Sequence, residues 1–186
     1  MNPALKGTAL INLKLFLETK IGKQDTIKLL NEKIELWPET VLASTWYEAD
    51  IYMRTEAELA KKLNKTEKEI IIESALHALK TDLNGVYKFF MKMGGVERVL
   101  GAGGSIAKTY MNFVIQETIE NRSGHFKAHA IIPEKYADWY LAKTEGAFEG
   151  ILNVFDRQKI SFNFLGKRLF TDKGISYSDV TYELNY

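Results

Sequence analysis

An α+β fold follows from three features of the sequence: an N-terminal helical layer over residues 1–104 packed on a C-terminal β-β-α-β-β antiparallel unit over residues 105–186. Apolar residues recur at three and four through the N-terminal half, then at two after Ser105. An apolar helix notched by Gly146 and Gly150 interrupts the alternating segments and leaves two on each side. A sheet of that kind has one apolar face that must be covered, and the segment before Ile106 is the available cover. At 186 residues the chain reads as one domain, long enough to bury a substantial core.

The first predicted helix runs from Thr8 to Ile21, with Leu10, Leu13, Leu17 and Ile21 as its stripe and Gly22 as its stop. Ile27, Leu30 and Ile34 repeat the pattern from Asp25, so the two form a short antiparallel pair. Trp37-Pro38 breaks it, and a loop over 38–45 tucks Val41 and Leu42 inward. A third helix is predicted over Trp46–Leu63. Thr66 and Glu69 then form a capping box, the threonine hydroxyl taking an amide while the glutamate reaches back, and start a fourth helix through about Leu83. Asn84-Gly85 punctuates it. After the aromatic and methionine-rich stretch 86–93, Gly94-Gly95 interrupts again, and a short helix over Val96–Leu100 ends in Gly101-Ala102-Gly103-Gly104.

The period then changes to two. Phe113, Ile115 and Ile119 alternate with Val114, Gln116, Thr118 and Glu120, which predicts a half-buried strand with one mixed face. Arg122-Ser123-Gly124 makes a hairpin turn, and Phe126, Ala128, Ala130 and Ile132 line the inner face of the partner strand. Pro133 suits the first turn of a helix that reaches about Phe155 and buries Tyr136, Tyr140, Thr144, Ala147, Phe148, Ile151 and Leu152. Gly146 and Gly150 predict tight packing of this helix on the sheet. Ile160, Phe162 and Phe164 open the third strand, Gly166–Gly174 reads as a loop, and Val180, Tyr182, Leu184 and Tyr186 share a face of the last strand.

Composition narrows function mainly by exclusion. Hydrophobic residues at 46% and charged residues at 26% are those of a globular protein. A net charge of +1 gives no reason to expect a nucleic acid or an anionic membrane as partner. Zero cysteines removes disulfides, thiolate catalysis and cysteine-ligated metals. No secretory signal or span of about 20 apolar residues is present, so a cytoplasmic chain without stable membrane insertion is expected.

No catalytic signature emerges, and the chain is read as a non-enzyme. His77 reads as a helix-face histidine satisfied locally rather than as a ligand. His125 and His129 share a strand face about 13 Å apart, too far to chelate one ion, so no metal site is expected. The glycines at 101–104 follow a helix instead of a strand and lack a following Gly-Lys-Ser/Thr, so they read as a hinge between layers and not as a phosphate loop. The aromatic run Tyr87, Phe89, Phe90, Met91 and Met93 would serve a packed core. Its functional alternative is one wall of an apolar cavity, Phe89, Phe90, Met93 and Leu100 facing Ile106, Tyr110, Phe113, Tyr140 and Phe148.

The element order resembles the fold of haem nitric-oxide/oxygen-binding (H-NOX) domains, 4-vinyl-reductase-like sensor domains and transport-particle subunits. Lys6-Gly7-Thr8 with its amphipathic helix and Gly22 is similar to an H-NOX start, and Tyr140–Phe155 with Glu149-Gly150 is similar to the helix of its second half. In style the chain also resembles an uncharacterised myxobacterial-type family. The resemblance implies a haem held by an axial histidine on the helix before the first strand and by a Tyr-x-Ser-x-Arg clamp. The first position falls near Ala107, with no histidine between His77 and His125, and the second region reads Glu134-Lys135-Tyr136-Ala137-Asp138. No haem, and no other cofactor, is therefore expected. The relatives imply a sensor or binding domain for a small hydrophobic ligand, a fatty acid or aromatic compound, signalling to an unknown protein partner, with homodimerisation by analogy. A protein-interaction adaptor with a solid core is the alternative.

Overall fold

A computed structural model describes the backbone of residues 2–83 and 87–186, and the side chains of these outside 82–93. A short strand, β1 (Ala4–Lys6), leads into α1 (Gly7–Ile21) and α2 (Lys23–Lys33); β2 (Trp46–Glu48) then pairs antiparallel with β1. The helix predicted from Trp46 therefore begins only at Ala49, as α3 (Ala49–Leu63), because residues 46–48 spend their backbone groups on β1. α4 (Glu67–Leu83) starts at the predicted capping box. Thr66 N donates to Glu69 Oε2 at 2.8 Å, and Glu69 N donates back to Thr66 Oγ1 at 3.3 Å. The punctuation predicted at Asn84-Gly85 lies outside the described residues.

α5 (Tyr87–Gly101) breaks at Gly95, whose φ of 73° is open to glycine without strain, so the interruption predicted at Gly94-Gly95 is a kink. α6 (Gly103–Tyr110) is a helix where alternation was expected to begin, and the first long strand, β3, spans only Ile115–Arg122. β4 (His125–Pro133), a 3₁₀ turn (Glu134–Tyr136) and α7 (Ala137–Val154) follow. The long hairpin of β5 (Ser161–Asp172) and β6 (Ile175–Asn185) then closes the chain. The predicted loop at 166–174 is mostly strand, turning only at Lys173-Gly174. The main sheet is antiparallel, in the order β3-β4-β6-β5.

The inner face of the sheet carries Phe126, Ala128, Ala130, Ile132, Val180, Tyr182 and Leu184, all fully buried as alternation predicted. Along β3 and the residue before it, the face of Val114 and Gln116 is the buried one, while Ile115 and Ile119 are about half exposed, with a bulge between Thr118 and Glu120. Two apolar residues point outward against expectation, Ile27 on α2 and Leu42 in the 38–45 loop, while Thr26 takes the buried place.

Helix α7 lies between sheet and helices. Phe148 meets Phe126, Phe162 and Tyr182 at ring-centroid distances of 5.2, 6.1 and 6.2 Å. Its glycines face the other way. A Cβ at Gly146 would stand 2.3 Å from the carbonyl oxygen of Ile72, and one at Gly150 3.0 Å from Leu79 Cβ. The glycine pair thus serves helix-on-helix packing against α4, correcting the helix-on-sheet expectation.

Candidate functional site

Between α7, α4, α6, the end of α5 and the β1–α1 corner lies a cavity of about 520 Å³. Its lining is largely apolar, including Leu5, Ala75, Leu79, Ala147, Phe148 and Ile151. The small residues on α4 and α7 open this space, since alanines at 75, 78 and 147 stand where larger side chains would fill it. The volume falls within the usual range of ligand pockets.

Four of the predicted wall residues line it: Ile106, Tyr110, Tyr140 and Phe148. Two do not. Leu100 is fully buried in the neighbouring core, and Phe113 turns away to pack on Tyr136 at 4.9 Å between ring centroids. The side chains of Phe89, Phe90 and Met93 lie outside the described residues.

Sequence reasoning missed the polar members of the wall. Tyr52, Trp139 and Lys143 all line the cavity, and behind them Glu56 is almost completely buried. Lys143 Nζ donates to Glu56 Oε1 at 2.5 Å, Ser74 Oγ at 2.6 Å and Tyr52 Oη at 3.1 Å. Trp139 Nε1 donates to the other Glu56 oxygen at 2.7 Å, and Ser74 Oγ also donates to Glu56. Burial works against the Lys143 ammonium, yet Glu56 and Tyr52 hold its pKa above the ordinary lysine value. All three of its protons are engaged, so the ammonium acts as a tie between α3, α4 and α7 and not as a nucleophile. Helical spacing was the available signal: Trp139, Lys143 and Ala147 share one stripe of α7.

The second polar group sits on β3. Gln116 Oε1 accepts from Tyr140 Oη at 2.5 Å, and burial pushes the Tyr140 phenol up to about 12. Gln116 Nε2 is buried with no hydrogen-bond partner. It lies against the first residue of α6, where a Cβ at Gly103 would meet it at 2.7 Å; a Cβ at Gly104 would meet Gln116 O at 2.4 Å. These contacts give the glycines at 103 and 104 a close-packing reason that the hinge reading lacked.

No family model and no curated protein matches the chain. Solved structures do. An oxygen-binding H-NOX domain related to soluble guanylate cyclases superposes with a TM-score of 0.71 at 16% identity, over 97% of this chain and 95% of that one. The chain has an H-NOX-like fold. A mutant H-NOX of T. tengcongensis gives a TM-score of 0.71 at 17% identity, covering 97% and 98% of the two chains. A mutant Fe(II) unliganded H-NOX protein of K. algicida gives 0.68 at 11%, covering 97% of each. At these identities the likeness is one of fold.

The donors present do not fit a histidine-ligated haem. The H-NOX-like chain has three histidines, and none lines the cavity. Ala107, near which the axial position falls, is a buried residue of α6 in the cavity wall. His77 stands in a separate cleft with its ring edge against Phe16 at 5.5 Å. Both its ring nitrogens lack hydrogen bonds, which corrects the expectation of a locally satisfied histidine, and burial with Lys20 and Lys80 lowers its pKa. His125 and His129 have separate partners, Asn185 at 2.9 Å and Asp179 at 3.2 Å. Among the described residues no cluster of histidine, aspartate and glutamate has metal-holding geometry, and no helix is long and apolar enough to cross a membrane.

Proposed function

We propose that this chain is a haem-free sensor or binding domain that takes a small hydrophobic ligand, a fatty acid or an aromatic compound, between its helices and its sheet. The observation that carries the reading is an apolar cavity of about 520 Å³ at the junction of α4, α6 and α7 whose wall contains no histidine. The H-NOX-like fold supports a sensing role, because the solved neighbours include an oxygen-binding domain. Ligand entry would displace α6, which rests on Gln116 through its first two glycines, and a partner protein would read the change. The reading requires no catalytic group.

Native mass spectrometry before and after organic extraction tests it, with binding of fluorescent fatty acids to the extracted protein as the second arm. A mass excess that extraction removes, followed by saturable rebinding, is the expected result. A ligand-free mass together with no rebinding rules the reading out.

One observation favours the adaptor alternative. Phe164, Leu165 and Leu169 are exposed on β5, an edge strand of the main sheet, where an apolar surface suits contact with a protein or a second copy. Sedimentation returning only monomer at every concentration removes the homodimer.

A further inference from the structure

Of the two polar groups in the cavity wall, the one at Gln116 keeps an unused donor. Gln116 is only 8% exposed and its Nε2 has no hydrogen-bond partner. Its orientation is fixed by Tyr140, whose hydroxyl proton occupies Oε1 at 2.5 Å, leaving the amide nitrogen to donate elsewhere. That nitrogen points at the start of α6, placed 2.7 Å from where a Gly103 Cβ would stand. The start of α6 has no side-chain cap, its N-cap being Ala102, and the first turn contains no acidic residue. Ala102, Gly103 and Ser105 all line the cavity. An uncapped helix start presents free amide protons and the positive end of the helix dipole.

Charge runs the same way. Among the described residues, the charged ones lining the cavity are Arg98 and Lys143, and no acid is among them. Lys143 is balanced by Glu56, whereas Arg98 has no ion pair among the described residues. An occupant of this end must bring an acceptor, and a negatively charged one matches the donors, the dipole and the arginine together. A purely hydrocarbon occupant would leave Gln116 Nε2 buried and unpaired, a costly state.

We infer that the ligand is an amphiphilic monocarboxylate, its head seated between Gln116 Nε2 and the amides opening α6, its apolar body among Leu79, Ala147, Phe148 and Ile151. This rests on the cavity proposed above as a ligand site and adds the chemical class of the ligand and its direction. It also gives α6 its role, since the helix start only packs on Gln116 when the site is empty and is bound through the carboxylate when it is filled.

The test is competition against a bound fluorescent fatty acid, on the extracted protein, by dodecanoate, methyl dodecanoate and dodecanol at pH 7.5. Dodecanoate is expected to compete at least tenfold better than its ester or alcohol. Gln116→Leu, with folding checked by circular dichroism, is expected to remove most of that preference, weakening dodecanoate far more than dodecanol. Should Gln116→Leu fail to fold, the three-way comparison on the unmodified chain still decides. Equal competition by all three compounds, or an acid preference untouched in Gln116→Leu, overturns the carboxylate site and leaves the cavity reading standing. No saturable binding of the fluorescent acid and no competition overturns both.

Discussion

Lys143 Nζ and Glu56 Oε1 lie 2.5 Å apart in the wall of the cavity, with side chains only 11% and 1% exposed. Ser74, Tyr52 and Trp139 complete the hydrogen bonding, so the pair belongs to a satisfied network linking three helices. Removing one partner strands a buried charge. Lys143→Met is expected to cost about 3–5 kcal/mol, read by urea denaturation. Glu56→Leu combined with Lys143→Met should recover much of that loss, because no charge then remains without its counter-ion. A Lys143→Met loss below about 1 kcal/mol would show that the network is exposed to water.

Gly146→Ala sets two effects against each other. Alanine gains about 1 kcal/mol over glycine in a helix, but its methyl would stand 2.3 Å from a backbone oxygen of α4. Backbone cannot move aside as a flexible side chain can, and overpacking costs about 1–3 kcal/mol. A net loss of about 1–2 kcal/mol is expected, measured by chemical denaturation. Gly166→Ala is the control: a Cβ there meets nothing within 4 Å, and its effect should stay within about 0.5 kcal/mol.

His129 gives stability a pH dependence of known sign. Burial opposes its protonation, but Asp179 at 3.2 Å and Glu117 at 3.3 Å outweigh burial and raise its pKa above 6.5. A raised pKa means that the folded state holds the proton more tightly than the unfolded state. The stabilisation is complete below 6.5 and is lost as pH rises through the raised folded value. Proton NMR should find His129 titrating above 6.5, and Asp179→Asn should lower that midpoint and flatten the stability profile across the same window.

Haem reconstitution should fail to give a histidine-ligated species. The cavity wall contains no histidine, and the Tyr140 phenol in it is pushed up to about 12, which disfavours a phenolate ligand. Absorption spectra after addition of haemin and gel filtration are expected to lack a sharp Soret band at one haem per chain. Its presence would show that another residue replaces the missing histidine.

Where one face is dry and the other wet, periodicity located the elements. Phe126, Ala128, Ala130 and Ile132 alternate without exception and are all fully buried, and Thr66 with Glu69 marked the start of α4 to the residue. Reading failed where a tertiary contact overrode the local pattern. Trp46–Glu48 looks helical, yet its backbone pairs with Ala4–Lys6, about forty positions earlier in sequence. Gln116 looks like a solvent residue between Ile115 and a run of polar neighbours, but α6 presses on it and Tyr140 binds its oxygen. The α7 members of the site, Tyr140, Ala147, Phe148 and Ile151, were legible as a stripe, whereas Leu5, Ala75 and Leu79 were not. The polar network was not legible either, because Glu56, Ser74 and Lys143 meet only after three helices have packed.

The most direct test of the central claim is titration of extracted protein with a fluorescent fatty acid, the unmodified chain beside Ala147→Trp. Ala147 lines the cavity, and an indole there would occupy the space assigned to the ligand. The account predicts saturable one-to-one binding to the unmodified chain and its loss in a folded Ala147→Trp. Equal binding by both proteins, or none by either, would contradict it.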